Sequence, residues 1–263
     1  MLNRTTRFVF AVAAMAAGFA TPVSAKELAD PNAYLIRPGE WAQGVGSYLL
    51  TDQMSSTQSS TWPRHGWYQI AHTPGALKIS PVKAPTKGLP DFLADVAAQV
   101  VASQSARNDT SQAVDVSNTA PADAIDVQYL RVPGVKLRQG TVPTVKFSNG
   151  TLSPKLDHTY QLKLGDAPFT LHVQNGLRGK NGAPYGEGAL YTVGYGGEFY
   201  SYHLDGYGWD THVQAVADVD GDGKPDFFIS MGGNNSGYEA VLLSSKAKPG
   251  TNKPTATLSS QGC

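Results

Sequence analysis

The spacing of apolar residues changes twice along the chain. Up to residue 86 they come in short runs, "AYLI", "GSYLLT", "WYQIAH" and "ALKISPV", separated by turn residues. Side chains of an extended strand point alternately to two faces, so such runs predict strands. The polar stretch "SSTQSSTWPRHG" (55–66) reads as a loop closed by Pro63 and Gly66. In "DFLADVAAQVVASQ" (91–104) the period lengthens. Phe92, Val96 and Val100 form one stripe spaced by four, and Leu93, Ala97 and Val101 form an adjoining one. That spacing predicts a helix with one buried face, and Pro90 suits its entry. The polar segment 105–124 then predicts a linker.

From Ile125 the period of two returns. "IDVQYLRV" alternates; "TYQLKL" and "FTLHVQ" flank a turn at Gly165–Pro168. "ALYTVGY" and "EFYSYHL" flank Gly196-Gly197, which predicts a tight two-residue hairpin. On its two arms, Leu190, Thr192 and Gly194 share one face, as do Phe199, Ser201 and His203. "GGNNSG" (232–237) predicts the turn between the last two strands. The expected fold is mainly β: antiparallel sheets with one main helix near 91–104. The expected division is a leader (1–25), an N-terminal β-rich region with helix and linker (26–124), and a C-terminal antiparallel β region (125–263). No repeat of fixed period is visible.

The leader changes the picture of where the chain works. Arg4 and Arg7 precede an apolar run, "FVFAVAAMAAGFA", and Val23 and Ala25 are small residues at the positions a signal peptidase reads. Cleavage after Ala25 is expected, with a periplasmic or secreted product. The run is shorter than the roughly 20 residues that cross a bilayer, and no later stretch spans one. Losing Arg4 and Arg7 turns the balance of 21 basic and 21 acidic residues slightly negative. No basic patch points to nucleic acid. The single cysteine, Cys263, excludes a disulfide within one chain. It reads as an unpaired thiol or as a link between chains.

The candidate chemistry concentrates in "DVDGDGKPD". With Asp218 as position one, Asp220 falls at three, Asp222 at five, Lys224 at seven and Asp226 at nine. Alternate side chains of a coiled loop supply carboxylates to one centre, and the Lys224 carbonyl adds a further oxygen. Gly223 at position six permits the sharp turn. Two carboxylates about 4 Å apart repel by roughly 4 kcal/mol at an effective dielectric of 20, and a divalent cation reverses that sign. Calcium accepts such an oxygen cage; magnesium asks for a stricter octahedron, and zinc for His or Cys. Position twelve is Ile229, not the Glu of an EF-hand, and the flanks "HVQAVA" and "FFIS" are strand-like. The unit therefore reads as strand–calcium loop–strand.

"ADVDGDGKPDFFIS" followed by "YEAVLLSS" resembles the calcium loop of FG-GAP and VCBS-type repeats. The resemblance implies calcium ligands at Asp218, Asp220, Asp222, Lys224 (carbonyl) and Asp226. Propellers built from such units repeat them; here the unit occurs once. A wider likeness, over roughly 133–263, is to a group of uncharacterised exported bacterial proteins with one such loop. It implies secretion and calcium, and no activity.

No nucleophile elbow, HExxH, P-loop or dinucleotide fingerprint occurs. The histidines, His65, His72, His158, His172, His203 and His212, are scattered. His203 and His212, with Asp205 and Asp210, offer a zinc or acid–base site; Glu187 with Asp205 or Asp210 offers a glycosidase pair. Tyr207 and Trp209 offer surface contacts. The leading expectation is an exported protein with structural calcium, an envelope or binding protein rather than an enzyme, whose ligand or protein partner is not named by the sequence. The alternatives are a periplasmic glycan-acting hydrolase and a calcium-dependent adhesion module.

Overall fold

A computed structural model describes residues 33–40, 46–49, 59–108, 127–175, 188–204, 210–233 and 236–261. The leader, the linker beyond 108 and Cys263 lie outside them.

Among the described residues the chain is mainly β with one α-helix. In order it forms β1 (Tyr34–Glu40), β2 (Gly46–Leu49), β3 (Trp67–Thr73), β4 (Ala76–Pro81), helix α1 (Asp91–Asn108), β5 (Val127–Arg131), β6 (Gly140–Pro143), β7 (His158–Leu164), β8 (Ala167–Asn175), β9 (Ala189–Tyr195), β10 (Glu198–Leu204), β11 (Asp210–Ala217), β12 (Asp226–Gly233), β13 (Ser236–Leu242), β14 (Gly250–Asn252) and β15 (Ala256–Gln261). Three sheets result, with strand orders β2-β1-β5-β3-β4-β6, β14-β10-β9-β8-β7 and β11-β12-β13-β15. Pairing is antiparallel except for β14 beside β10. The six-stranded sheet draws on both sides of residue 124, since β5 lies between β1 and β3.

The four-stranded sheet is the middle layer, because its strands are apolar on both faces. Ala215, Ala217, Phe228, Val241 and Leu258 pack towards Leu35, Ile70, Leu77 and Leu130 of the six-stranded sheet. Val216, Phe227, Ile229 and Leu242 pack the other way, against Leu171, Tyr191, Val193 and Tyr202 of the five-stranded sheet. Runs such as "FFI" and "AVLL", without alternation, are what a strand covered on both sides requires. Full burial of each Val, Leu, Ile or Phe side chain among them stabilises by about 1.5–3 kcal/mol relative to exposure.

Helix α1 covers the far face of the six-stranded sheet. The Pro90 carbonyl accepts the first helical amides, from Leu93 and Ala94. Phe92 stacks on Tyr129 at 3.9 Å and meets Trp67 edge-on. The helix runs four residues past the expected end at 104, yet one residue of its expected buried stripes faces outward. Leu93 and Val96 are fully buried, whereas Val101 is 60% exposed. The aromatic cluster of Trp62, Trp67 and Tyr129 gives the helix its buried partners, and these lie under its first two turns.

Both expected hairpins form. Leu164 pairs with Ala167, so the first turn is Gly165-Asp166; Tyr195 pairs with Glu198 around Gly196-Gly197. Both glycines have positive φ, 61° and 83°, as the tight primed turn demands. Tyr191, Tyr200 and Tyr202 point into the core, while Phe199 stands 64% exposed on the outer face. "GGNNSG" joins β12 to β13, and two further strands follow it. β6, β14 and β15 escape the alternation pattern: β6 and β14 are only four and three residues long.

Candidate metal centre

The loop between β11 and β12 carries the clustered acids. Each β-strand side presses it towards the same end of the middle sheet, since Ala217 pairs with Asp226 across the loop. Gly221 and Gly223 hold φ of 83° and 80°, which lets the chain coil. Local bonds brace the coil: Asp218 Oδ1 accepts from the Gly221 amide at 2.8 Å, and Asp222 Oδ1 from the Lys224 amide at 2.9 Å. Short acidic side chains favour turns for this reason.

Asp218, Asp220 and Asp222 each present a carboxylate oxygen within 4.8 Å of the others. Oxygens bound at 2.3–2.6 Å to one calcium cannot lie farther apart than about 5 Å, so this spacing suits a shared ion. Asp218 and Asp220 are half-buried and Asp222 is exposed. Lys224 sends its Nζ out over the Tyr195 ring, 5.8 Å from the centroid. Its side chain therefore does not enter the acidic cluster.

Asp226 is different from the other three. It is fully buried. Its Oδ2 accepts from the Val219 amide at 2.8 Å, and its Oδ1 from the Ser244 amide and hydroxyl, both at 2.7 Å. It thus ties the loop to the turn after β13. Burial pushes its carboxyl up to about 8, helped by the charge of Asp220 and opposed by the bonds from Ser244 and Val219. Asp220 is also raised, first by burial and then by Asp222 and Asp218, against the Ser245 hydrogen bond. Among the described residues no basic side chain pairs with Asp226.

Three residues outside the aspartate motif complete the site. Ser244 Oγ lies 3.0 Å from both oxygens of Asp222 as well as 2.7 Å from Asp226 Oδ1. Ser245 Oγ donates to Asp220 Oδ2. Arg138, on the segment before β6, pairs with Asp218 Oδ2 at 3.2 Å and donates its amide to the Val219 carbonyl. The sequence pattern assigns none of these three side chains a role. The only signal was a serine pair ending a buried strand. The donors still fall short of the acceptors: one Ser244 proton faces three carboxylate oxygens. An all-oxygen set with surplus negative charge fits a hard cation such as calcium.

The other candidate residues do not converge among the described residues. His203 lies on the outer face of β10, opposite Leu190. His212 bonds through Nδ1 to Ser153 Oγ at 2.8 Å. Glu187, Asp205, Tyr207 and Trp209 lie outside the described residues, as does the side chain of Asp210.

No helix among the described residues is long and apolar enough to cross a membrane. No family model matches the chain, and neither the curated proteins nor the solved structures give a significant match.

Proposed function

We propose that the chain is an exported calcium-binding protein whose ion is structural, acting as an envelope or binding protein rather than an enzyme. The observation that carries the calcium reading is the convergence of Asp218, Asp220 and Asp222 within 4.8 Å at the tip of a β-hairpin. Those three side chains, with the Lys224 carbonyl and the remaining lone pair of Asp226 Oδ2, would hold the ion. Calcium supplies positive charge where like charges crowd, and so stabilises the loop that joins β11 to β12. The likeness of "DVDGDGKPD" to FG-GAP and VCBS-type loops agrees with this. The export reading is carried by Arg4, Arg7 and the apolar run after them.

Titration calorimetry on the purified protein tests the ion. Calcium should bind one to one, and Asp220→Ala should abolish the heat. Absence of uptake at millimolar calcium would sink the reading.

A further inference from the structure

The inward faces of the six-stranded and middle sheets are apolar along most of their length and then turn polar together. On β1, Leu35 is followed two residues on by Arg37. On β3, Ile70 is followed by His72. On β5, the position two before Leu130 is Gln128, and on β13 the position two before Val241 is Glu239. Leu35, Ile70, Leu130 and Val241 all belong to one buried cluster. A period of two keeps their polar neighbours on the same face. Four strands thus bring a polar layer to one end of the core.

A cleft of about 280 Å³ opens there, walled by Arg37, His72, Gln128 and Gln214 with Pro74, Leu77 and Ala215 as apolar sides. Gln214 sits at the β-bulge that shifts the β11 register between Val213 and Ala215. Bulges re-aim side chains, and they are over-represented beside functional sites. Gln128 is 97% buried, being only 3% exposed. Its Nε2 donates to Glu239 Oε2 at 2.9 Å. An ionised carboxylate only accepts, so this bond fixes which end of the amide faces Glu239. The Oε1 is turned away from it, and among the described residues it has no hydrogen-bond partner. A buried acceptor left so is costly, and a leucine at this position would extend the core. The polar layer calls for something that donates to it.

The charges define that ligand. Arg37 pairs with Glu239, so an incoming molecule need bring no counter-charge. An acceptor-only anion would face Gln128 Oε1 unfavourably, and a cation would meet the Arg37 charge. A hydroxyl can both donate, as the buried Gln128 Oε1 asks, and accept, as an amide such as that of Gln214 asks. Pro74, Leu77 and Ala215 suit the C–H faces of such a molecule. The volume of about 280 Å³ falls just under the usual range of ligand pockets, about 300–1,000 Å³, and so suits a small molecule. We propose that this cleft binds a small uncharged polyol, of the chemistry of a single sugar unit. The inference goes beyond the calcium reading and does not depend on it.

Amide NMR of the full chain tests it, with glucose, galactose and N-acetylglucosamine as probes up to ~50 mM, above the millimolar affinity of a weak small-molecule site. Glucuronate and glucosamine serve as charged controls. At least one neutral sugar should shift the side-chain amides of Gln128 and Gln214, more strongly than its charged counterparts. Gln128→Met should weaken that binding at least ten-fold. Gln214→Ala, at a half-exposed position, should weaken it too, which keeps the test open if the first variant folds poorly. No shift with any neutral sugar, equal binding of the charged controls, or unchanged affinity in both variants would overturn the proposal. Each titration is run with calcium and with chelator. A failed sugar titration alongside calcium uptake leaves the metal reading standing, and the converse leaves the cleft standing.

Discussion

Ser244 brings one hydroxyl proton to the oxygens of Asp222 and Asp226. That shortage makes the site sensitive to single atoms. Asp226→Asn replaces one accepting oxygen with an NH2 group, which must then face the Val219 amide or the Ser244 amide. Stability in chelator should fall by about 1–3 kcal/mol in urea unfolding, and further in calcium, where the ion also loses a ligand. Asp220→Ala should behave differently. In chelator it relieves repulsion from Asp218 and Asp222 and leaves stability level or slightly higher. In calcium it should lose the added stability of the parent. Equal losses for Asp220→Ala in both media would mean that its carboxylate serves only the Ser245 bond.

Glu239 gives a pH prediction at the same scale. Burial holds its carboxyl above the ordinary 4.5, against the pull of Arg37 and Gln128. A raised acid favours the folded state while protonated. Its contribution is complete below 4.5 and is lost as pH rises through the folded value. Unfolding free energy measured by urea across that window should therefore fall more steeply in the parent than in Glu239→Gln. A parallel pair of curves would show that Arg37 cancels the cost of burial.

Among the elements, the β9–β10 hairpin is the most closely specified. Gly196 and Gly197 both occupy left-handed backbone, where a Cβ costs roughly 1–2 kcal/mol. Gly196→Asn should be tolerated within about 0.5 kcal/mol, since Asn-Gly suits this turn, whereas Gly197→Val should cost at least about 1 kcal/mol in denaturant unfolding. Gly194 is constrained by space instead. A Cβ there would lie 2.5 Å from Thr170 Oγ1 and 2.9 Å from the Phe199 ring. This hairpin was legible in the sequence because turn chemistry and alternation agree there. The β11–β12 unit was legible because carboxylate spacing and strand-like flanks agree. β6 and β14 were not, being too short to show a period. The ends of the site were hidden for another reason. Ser244, Ser245 and Arg138 lie far from the motif in sequence, and only the packing of β13 and the 138 segment against the loop brings them to it. Val101 misled because a stripe spaced by four states which face a helix could bury, not how far its partner extends.

At the scale of the molecule, the acidic loop is a junction between layers. Asp226 belongs to the middle sheet, and Ser244 follows its β13 strand. Arg138 leads into β6 of the six-stranded sheet. On the other side, Lys224 rests over Tyr195, whose ring stacks on Tyr200 of the five-stranded sheet at 4.4 Å. An ion bound here braces all three sheets, so its effect should reach the whole fold. At a hundredfold excess over its dissociation constant, a ligand adds about 2.7 kcal/mol. For a chain of this size that corresponds to a rise of roughly 5–10 °C in melting temperature. Scanning calorimetry should show one transition that moves upward with calcium and returns on chelation. Two transitions, with only one moved by calcium, would mean that the outer five-stranded sheet unfolds apart from the junction, and that the contact of Lys224 with Tyr195 couples nothing.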